Sequence, residues 1–273
     1  MSQPLSVSPL AKPRLWNLVA DTYCDEIAPW LAKYAEDALR LAEIKPDMLI
    51  ADVACGPGDL SLAAARGGAR ARAVDFSSEM IACLRQRALD EGCAAVEAQI
   101  GDGMALPFAD GGFDCAFSMF GLIFFPDRAQ GFRELKRILK PQGRAVVASW
   151  VPFGRVAVLD DIYRTLGELL PSLPFNAQKA PLGEAAGFRR EMTEAGFREV
   201  TVHEVSHVRE VPSVDAYWNM LARSTPPLHA VREAVGQERW TEVVRQLLAS
   251  LREKWGTGPQ TVQLIANLAV GRR

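Results

Sequence analysis

The stretch from Ile50 to Gly58, IADVACGPG, decides the fold class of this chain. It begins as a buried strand and ends in a glycine turn, after which a helix opens at Asp59. Gly56 and Gly58 have no Cβ, so the backbone of the turn can pass close to a ligand. The helix beyond them offers free N–H groups at its N-terminus. This stretch therefore predicts a strand, a ligand-binding turn and a helix in succession.

Short apolar runs alternate with amphipathic segments from residue 48 to residue 150. The predicted strands are Met48–Ala54, Ala71–Asp75, Ala95–Ile100, Phe113–Ser118 and Arg144–Trp150. The predicted helices between them are Asp59–Arg66, Ser78–Glu91 and Arg128–Lys140, with Asp59 and Ser77 as N-caps. Helices that separate buried strands predict right-handed crossovers and an α/β fold, a Rossmann-like three-layer α/β/α sandwich.

The flanking segments are predicted to be largely helical. They are Arg14–Ile44, Pro152–Ala186, Phe188–Phe197 and Ser213–Gly256, with a strand at Glu199–Val208 and a closing edge strand at Thr261–Gly271. The predicted organisation is a helical lid at 1–45, a ligand-binding core at 46–151 and a C-terminal half at 152–273, in which the insertions 152–186 and 213–256 form a cap.

All six tryptophans and all four tyrosines lie outside the segment 35–149. Helices that pack on a sheet use large amphipathic side chains, which is one explanation of this distribution. The other is that the lid and the cap enclose an apolar substrate.

Composition excludes several classes of protein. The 273 residues carry 31 Lys+Arg against 33 Asp+Glu, a net charge of −2, so the basic excess typical of nucleic-acid binding is missing. No window approaches the roughly 18 apolar residues of a membrane span. The five cysteines form no CxxC pair and no metal-ligand cluster, which predicts reduced thiols, a cytoplasmic location and no metal site. The oligomeric state is not predicted.

Acidic residues follow three of the predicted strands. Asp52 ends the first strand and can orient an ammonium group, and Asp75 ends the second, where two ribose hydroxyls can donate to it. After the third strand, Gly101, Asp102 and Gly103 form a turn suited to an exocyclic amine and a ring nitrogen. A dinucleotide site needs a third glycine where this chain has Ser61. The pocket therefore fits an adenosine that ends in an amino acid.

The chain resembles the class I S-adenosylmethionine-dependent methyltransferases, especially the small-molecule branch similar to the ubiquinone and menaquinone C-methyltransferases. The matching stretches are DVACGPGDL at 52–60, VDFSSEM at 74–80, GDGMALPFADGGFD at 101–114, FGLIFFPD at 120–127 and LKRILKPQGR at 135–144. AGFREV at 195–200 resembles the step before the family's final hairpin. The resemblance implies a mostly parallel seven-stranded sheet with an antiparallel last strand.

The resemblance also implies a site for S-adenosylmethionine, which leaves as S-adenosylhomocysteine. The implied cofactor-binding residues are Tyr23, Asp52, Ala54, Cys55, Gly56, Gly58, Asp75, Phe76, Met80, Gly101, Asp102, Gly103 and Met119. Among these, Asp75 would bind the ribose, Phe76 and Met80 would flank the adenine, and Tyr23 would close over the cofactor. Ala54 departs from the family, which usually has glycine there.

The implied reaction is an in-line methyl transfer to a small, partly hydrophobic acceptor. It needs alignment and exclusion of water rather than a covalent nucleophile, and Cys55 is interpreted as a packing residue. His203 and His207 share one face of a predicted strand, and His203 is the candidate general base. Ser118 to Gly121 stand where DNA amine methyltransferases have an Asn/Asp-Pro-Pro-aromatic loop, so a nucleic-acid acceptor is disfavoured.

Two other functions stay open from the sequence. One is a protein that binds S-adenosylmethionine or S-adenosylhomocysteine without turnover. The other is a nicotinamide oxidoreductase, which shares the sheet and the acid at the end of the second strand but needs the missing glycine.

Overall fold

A computed structural model describes residues 8–173, 175 and 180–273. Parts of the predicted lid and of the predicted insertion 152–186 fall on 1–7, 174 and 176–179 and lie outside the described residues. One seven-stranded sheet, in the order β3-β2-β1-β4-β5-β7-β6, forms the centre of the fold. Its strands are β1 (Leu49–Val53), β2 (Arg70–Asp75), β3 (Val96–Ile100), β4 (Phe113–Met119), β5 (Leu139–Trp150), β6 (Arg198–Val211) and β7 (Gln260–Arg272).

The helices lie on both faces of the sheet and at the end where the first strands finish. They are α1 (Pro13–Thr22), α2 (Ala28–Leu41), α3 (Asp59–Arg66), α4 (Ser78–Asp90), α5 (Arg128–Ile138), α6 (Ala157–Leu169), α7 (Ala185–Glu194), α8 (Val214–Ser224), α9 (Pro226–Val235) and α10 (Gln237–Trp255). A π-helical segment, Tyr23–Ile27, joins α1 to α2.

Alternating side chains of the central strands bury two separate cores. Ile50 of β1 packs with residues of α2 and α3 on one face, whereas Ala51 and Val53 pack with α5 and α7 on the other. This period of two is expected for a strand that is covered on both sides. Phe132 of α5 is fully buried there, and a side chain of that kind contributes roughly 1.5–3 kcal/mol on burial. The predicted three-layer sandwich is confirmed.

The antiparallel last strand is confirmed, but its predicted position is wrong. The prediction placed a strand at Thr261–Gly271 on the edge of the sheet, whereas β7 runs antiparallel between β5 and β6. One side of β7 pairs with β5, and the other side pairs with β6 from Val270 and Thr201 to Gln260 and Val211. The edge strand is therefore β6. The division at residues 45 and 151 stays a prediction.

The predicted N-cap is confirmed for α4 and wrong for α3. Ser77 precedes α4, and its side chain accepts a hydrogen bond from the N–H of Met80 at 3.2 Å. At α3 the N-cap is Gly58, whose φ of +85° lets the chain turn directly into the helix. Asp59 is consequently the first residue of α3 rather than its cap.

The prediction of reduced thiols is wrong for one pair of cysteines. Cys24, in the π-helical segment, and Cys83, on α4, form a disulfide across 59 residues of sequence. Packing brings them together, because Val19 of α1 and Met80 of α4 share one apolar cluster. Spacing along the chain carries no signal for such a pair. The disulfide ties the π-helical segment at the N-terminal end of the chain to α4.

We expect Cys83→Ser to lower the free energy of unfolding by roughly 2–4 kcal/mol, because the bond closes a long loop in the unfolded chain. Urea denaturation without reductant measures this change. Cys93→Ser is the matched control, since Cys93 is free and half-buried. Wild-type protein that is equally stable with and without dithiothreitol would contradict the assignment.

Candidate functional site

A cavity of about 730 Å³ opens at the carboxyl ends of β1, β2 and β4. The turn between β1 and α3 and the segment after β4 line one side of it. Helix α1, the π-helical segment, α6 and α8 cover the other. In parallel α/β sheets the carboxyl ends of the strands are where ligands bind, so this cavity is the candidate site.

The two glycines of the turn have different reasons to be glycine. Gly56 has a φ of +53°, and a Cβ there would enter open space in the cavity. Gly58 has a φ of +85°, but a Cβ there would overlap the side chain of Leu84 on α4. Gly56 therefore leaves room for a ligand, whereas Gly58 leaves room for helix packing and does not line the cavity.

Ala54 occupies a backbone conformation that usually requires glycine. Its φ is +54°, in the left-handed region, which costs roughly 1–2 kcal/mol for a residue with a Cβ. Its methyl group fits because Gly121 lies opposite, and a Cβ added at Gly121 would overlap the Cβ of Ala54. The missing side chain at Gly121 thus makes room for the one at Ala54.

We expect Gly121→Ala to destabilise the fold by roughly 1–3 kcal/mol through overpacking, and to be much less harmful in an Ala54→Gly background. Urea denaturation of the two single variants and the double variant measures the coupling energy. Gly112→Ala is the control, because a Cβ there would make only an ordinary contact. Strictly additive effects of the two substitutions would contradict the proposed pairing.

Two buried carboxyl groups lie beside the turn. Asp52 is 1% exposed, and its Oδ2 accepts a hydrogen bond from Ser61 Oγ at 2.7 Å. Burial, together with the charges of Asp59 and Asp75, raises the pKa of Asp52 to about 7. The oxygens of Asp75 accept from the N–H groups of Gly56 at 2.8 Å and Ser77 at 2.9 Å. Burial nevertheless raises the pKa of Asp75 to about 6.

Every charged side chain among the described lining residues is acidic. The four are Asp52, Asp59, Asp75 and Asp102, and the described lining contains no Lys, Arg or His. Arg87 pairs with Asp59 at 2.9 Å from outside the cavity, and no basic side chain pairs with Asp52 or Asp75 among the described residues. This end of the cavity therefore favours a cation over an anion such as a diphosphate.

The raised pKa values of Asp52 and Asp75 predict a pH dependence of stability. Both groups hold their protons more tightly in the folded chain than in the unfolded chain, where the pKa is near 3.8. The stability that this proton binding gives to the folded chain is complete below pH 3.8, and it is lost as the pH rises through about 6 to 7. We expect Asp52→Asn to stabilise the ligand-free chain by on the order of 1–3 kcal/mol at pH 8, and by much less at pH 5.

Urea denaturation at pH 5, 6, 7 and 8 measures this difference between Asp52→Asn and wild type. Asp21→Asn is the control, because Asp21 is exposed on α1. A stability difference that does not change with pH would contradict the buried, titrating carboxyl group at Asp52.

Twelve of the thirteen residues predicted to bind the cofactor line this one cavity. They are Tyr23, Asp52, Ala54, Cys55, Gly56, Asp75, Phe76, Met80, Gly101, Asp102, Gly103 and Met119. Tyr23 lies at the acidic end, since burial and the charges of Asp59 and Asp75 raise its pKa. Burial also raises the pKa of the Cys55 thiol, which keeps it protonated.

The histidines lie elsewhere. His203 is exposed on β6, with its ring nitrogen 3.1 Å from Thr201 Oγ1, and it does not line the cavity. His207 contacts Asp37 at 2.7 Å. His203 therefore cannot touch an acceptor in this cavity, because β6 is the outermost strand of the sheet.

The other end of the cavity is apolar and comes from the lid and the cap. Its residues include Trp30, Phe153, Ile162, Tyr163, Tyr217, Met220, Leu221 and Leu228. The sequence did not single these residues out individually. Their one signal was the concentration of tryptophan and tyrosine outside residues 35–149. Tyr217 belongs to the core of the cap, as the packing explanation predicts, and it also lines the cavity. That the lid and the cap enclose an apolar substrate stays a prediction.

Polar contacts join the lid to the cap above the cavity. Glu26 of the π-helical segment pairs with Arg223 at 2.6 Å and accepts a hydrogen bond from Ser224 Oγ at 2.6 Å. Arg14 of α1 forms two hydrogen bonds with Glu233 of α9. Exposed ion pairs contribute little stability, about 0–1 kcal/mol, so they mainly fix the relative position of the two helical segments.

No helix among the described residues is both long enough and apolar enough to pass through a bilayer. They also contain no group of three or more His, Cys, Asp and Glu side chains arranged to hold a metal ion.

Comparisons with known proteins agree with the fold and the site. A family model described as a methyltransferase domain matches residues 50–143. An uncharacterized protein of Mycobacterium tuberculosis is 32% identical over 189 residues, which cover 64% of this chain and 69% of that protein. The demethylmenaquinone methyltransferase of Bacillus subtilis is 32% identical over 117 residues, which cover 42% of this chain and half of that enzyme. The crystal structure of YcgJ from Bacillus subtilis shares the fold, with a TM-score of 0.58 and 20% identity over 88% of this chain and 97% of that one.

A Rossmann-like sheet with an acidic, glycine-lined cavity at its carboxyl edge defines a protein that binds a cationic nucleoside. Together with the matched methyltransferase domain, this places the chain in the class I S-adenosylmethionine-dependent methyltransferase family, and its cofactor is S-adenosylmethionine. The described lining fits this compound, because its carboxylates suit the sulfonium and ammonium groups, and the space above Gly56 admits a ligand against the backbone.

Proposed function

We propose that this protein is an active methyltransferase that methylates a small, uncharged, partly hydrophobic acceptor. The observation that carries the proposal is the division of one cavity into an acidic end and an apolar end. The acidic end suits the cofactor, and the apolar end, built from the lid and the cap, has the size and character of a site for a small organic molecule. No nucleic acid belongs to the proposal, because the described lining has no basic residue.

The proposed contacts of the cofactor follow from the strand ends. Asp52 faces the ammonium group and Asp75 the ribose hydroxyls, while Phe76 and Met80 flank the adenine. The remaining proposed contacts come from Tyr23, Ala54, Cys55, Gly56, Gly101, Asp102, Gly103 and Met119, all of which line the cavity. Gly58 makes no proposed contact with the cofactor, and its missing side chain lets Leu84 pack directly against the turn.

The chain contributes binding, orientation and exclusion of water. When bound, the cofactor supplies a methyl group already activated by the sulfonium. Trp16 packs edge-on against Phe124 at 5.0 Å, so aromatic rings close the cavity from the lid and from the segment after β4. Holding an acceptor in a near-attack geometry can supply on the order of 7–11 kcal/mol. Cys55 takes no part as a nucleophile, because burial raises its pKa.

The structure gives specific reasons against a nicotinamide oxidoreductase. Ser61 stands at the position of the third glycine, which in dinucleotide sites lets the helix pack closely on the strand, and its buried hydroxyl instead donates to Asp52. The acidic lining would also repel the diphosphate of NAD.

We expect S-adenosylhomocysteine to raise the melting temperature of the protein and NAD to leave it unchanged. Binding that is specific to the folded state stabilises it by mass action, by about 2.7 kcal/mol at a hundred times the Kd. Thermal unfolding with each ligand at 1 mM measures this. Stabilisation by NAD alone would overturn the cofactor, and failure to transfer a labelled methyl group to any of a panel of apolar acceptors would leave a binding protein without turnover.

A matched pair of variants tests whether the cofactor lies against the turn. Gly56→Ala should weaken S-adenosylhomocysteine binding at least tenfold, because the new methyl group would occupy ligand space. Gly92→Ala is the control, since Gly92 has a similar φ of +66° and open space around it but lies outside the cavity. Both variants carry the same backbone strain, so equal affinities measured by calorimetry would contradict the proposed contact.

A further inference from the structure

Two tyrosine hydroxyl groups at the apolar end of the cavity have no hydrogen-bond partner among the residues that the structure describes. Tyr163 lies on α6 and Tyr217 on α8, and both line the cavity. Neither hydroxyl forms a hydrogen bond with any residue that the structure describes. Tyrosine hydroxyls that are buried usually find a partner, so an unused pair at one wall of a cavity calls for an explanation.

The hydroxyl of Tyr217 stays accessible although its residue is only 2% exposed. Among the described residues, the unpartnered side-chain atoms that are sealed from solvent are Trp30 Nε1, Ser118 Oγ and Thr165 Oγ1, and the hydroxyl of Tyr217 is not one of them. Since Tyr217 lines the cavity, its small accessible surface faces that space. A ligand in the cavity can therefore reach it.

Aromatic contacts hold both rings in place. Tyr217 stacks on Trp30 with ring centres 5.7 Å apart and an interplanar angle of 17°. Tyr163 packs against Phe153 at 5.0 Å and Phe175 at 6.3 Å. Rings that are fixed in this way present their hydroxyls at defined positions before a ligand arrives, which lowers the entropic cost of binding.

Both phenols are neutral hydrogen-bond donors. Burial raises the pKa of Tyr163 to about 12, and burial together with the charge that Tyr163 would carry raises the pKa of Tyr217. Two other polar side chains of the lining already have partners, since Ser149 Oγ donates to the carbonyl of Pro181 at 2.6 Å and Thr225 Oγ1 to that of Leu221 at 2.7 Å. Trp30 Nε1 has no partner among the described residues, but it is sealed from solvent.

Resting on the function proposed above, we propose that Tyr163 and Tyr217 form a subsite that binds an uncharged oxygen of the acceptor, a carbonyl, ether or hydroxyl oxygen, on an otherwise apolar molecule. The tyrosines donate, and the acceptor's oxygen accepts. An anionic oxygen is disfavoured there, because no basic side chain occurs in the described lining and four carboxyl groups share the cavity. The two hydroxyls thus select both the polarity of the acceptor and its orientation.

Three probes of one shape test this subsite. They are 2-acetylnaphthalene, a ketone, 2-isopropylnaphthalene, which lacks the oxygen, and 2-naphthoate, which is charged. Calorimetry with the full chain, with and without S-adenosylhomocysteine, gives their affinities. We expect the ketone and the hydrocarbon to bind and the carboxylate to bind at least tenfold more weakly than the ketone.

The variants Tyr163→Phe and Tyr217→Phe remove only the hydroxyl groups. Each should lower the affinity for the ketone about fivefold, the effect of one net hydrogen bond, and leave that for the hydrocarbon unchanged. Tyr34→Phe is the control, because the Tyr34 hydroxyl donates to the carbonyl of Leu264 at 2.7 Å and the residue does not line the cavity. Since the two single variants act independently, one of them decides the matter if the other fails to fold.

Three results would overturn the subsite. They are a ketone affinity that neither substitution changes, naphthoate binding as tightly as the ketone, and no ketone binding up to its solubility limit. The outcome for S-adenosylhomocysteine is separate. If that compound does not bind, the proposed function fails, and the titrations without it still decide whether the two tyrosines bind an oxygen.

Discussion

The site depends on two buried carboxyl groups, those of Asp52 and Asp75, that no basic side chain among the described residues neutralises. Asp52 and Asp75 end neighbouring strands of a parallel sheet, in contact with a hydroxyl and two main-chain N–H groups but with no basic side chain among the described residues. Burial of both carboxyl groups disfavours their charged forms. A cation bound beside these carboxyl groups would favour their charged forms and offset this cost.

The backbone around these carboxyl groups is arranged to serve them. The left-handed turn at Ala54 and Gly56 directs the N–H of Gly56 at Asp75, and it leaves space above Gly56 for a ligand. Gly121 and Leu84 fit against the same turn from two sides. The disulfide between Cys24 and Cys83 and the contacts of Glu26 hold the π-helical segment against α4 and α8, on the other side of the cavity.

The acidic end of the site could be predicted from sequence, because its residues lie at fixed positions relative to the strands. Asp52 and Asp75 end β1 and β2, and parallel neighbouring strands bring their carboxyl ends to the same edge. The apolar end could not, since Tyr163 and Tyr217 lie on helices 54 residues apart, and no local pattern sets their meeting. Gly56 and Gly58 show a further limit. One faces the cavity and one faces Leu84, yet the sequence presents both simply as turn glycines.

Long-range packing decided the remaining differences. His203 and His207 share a strand as expected, but that strand pairs only with β7, at the outer edge of the sheet and away from β1 and β2. β7 in turn lies beside β5. Pairing order in a sheet depends on which surfaces the whole chain can bury, which a strand's own pattern does not reveal.

A single physical cause gives the two ends of the cavity opposite chemical preferences. Burial disfavours the charged form of the carboxyl groups unless a cation lies beside them. Burial likewise keeps the phenols of Tyr163 and Tyr217 protonated, so that they act as hydrogen-bond donors. If the proposed function holds, an acceptor with negative charge would meet carboxyl groups at one end and, among the described residues, no basic side chain at the other. A neutral acceptor would meet hydrogen-bond donors and apolar walls. The cavity would therefore select acceptors by charge before it selects them by shape.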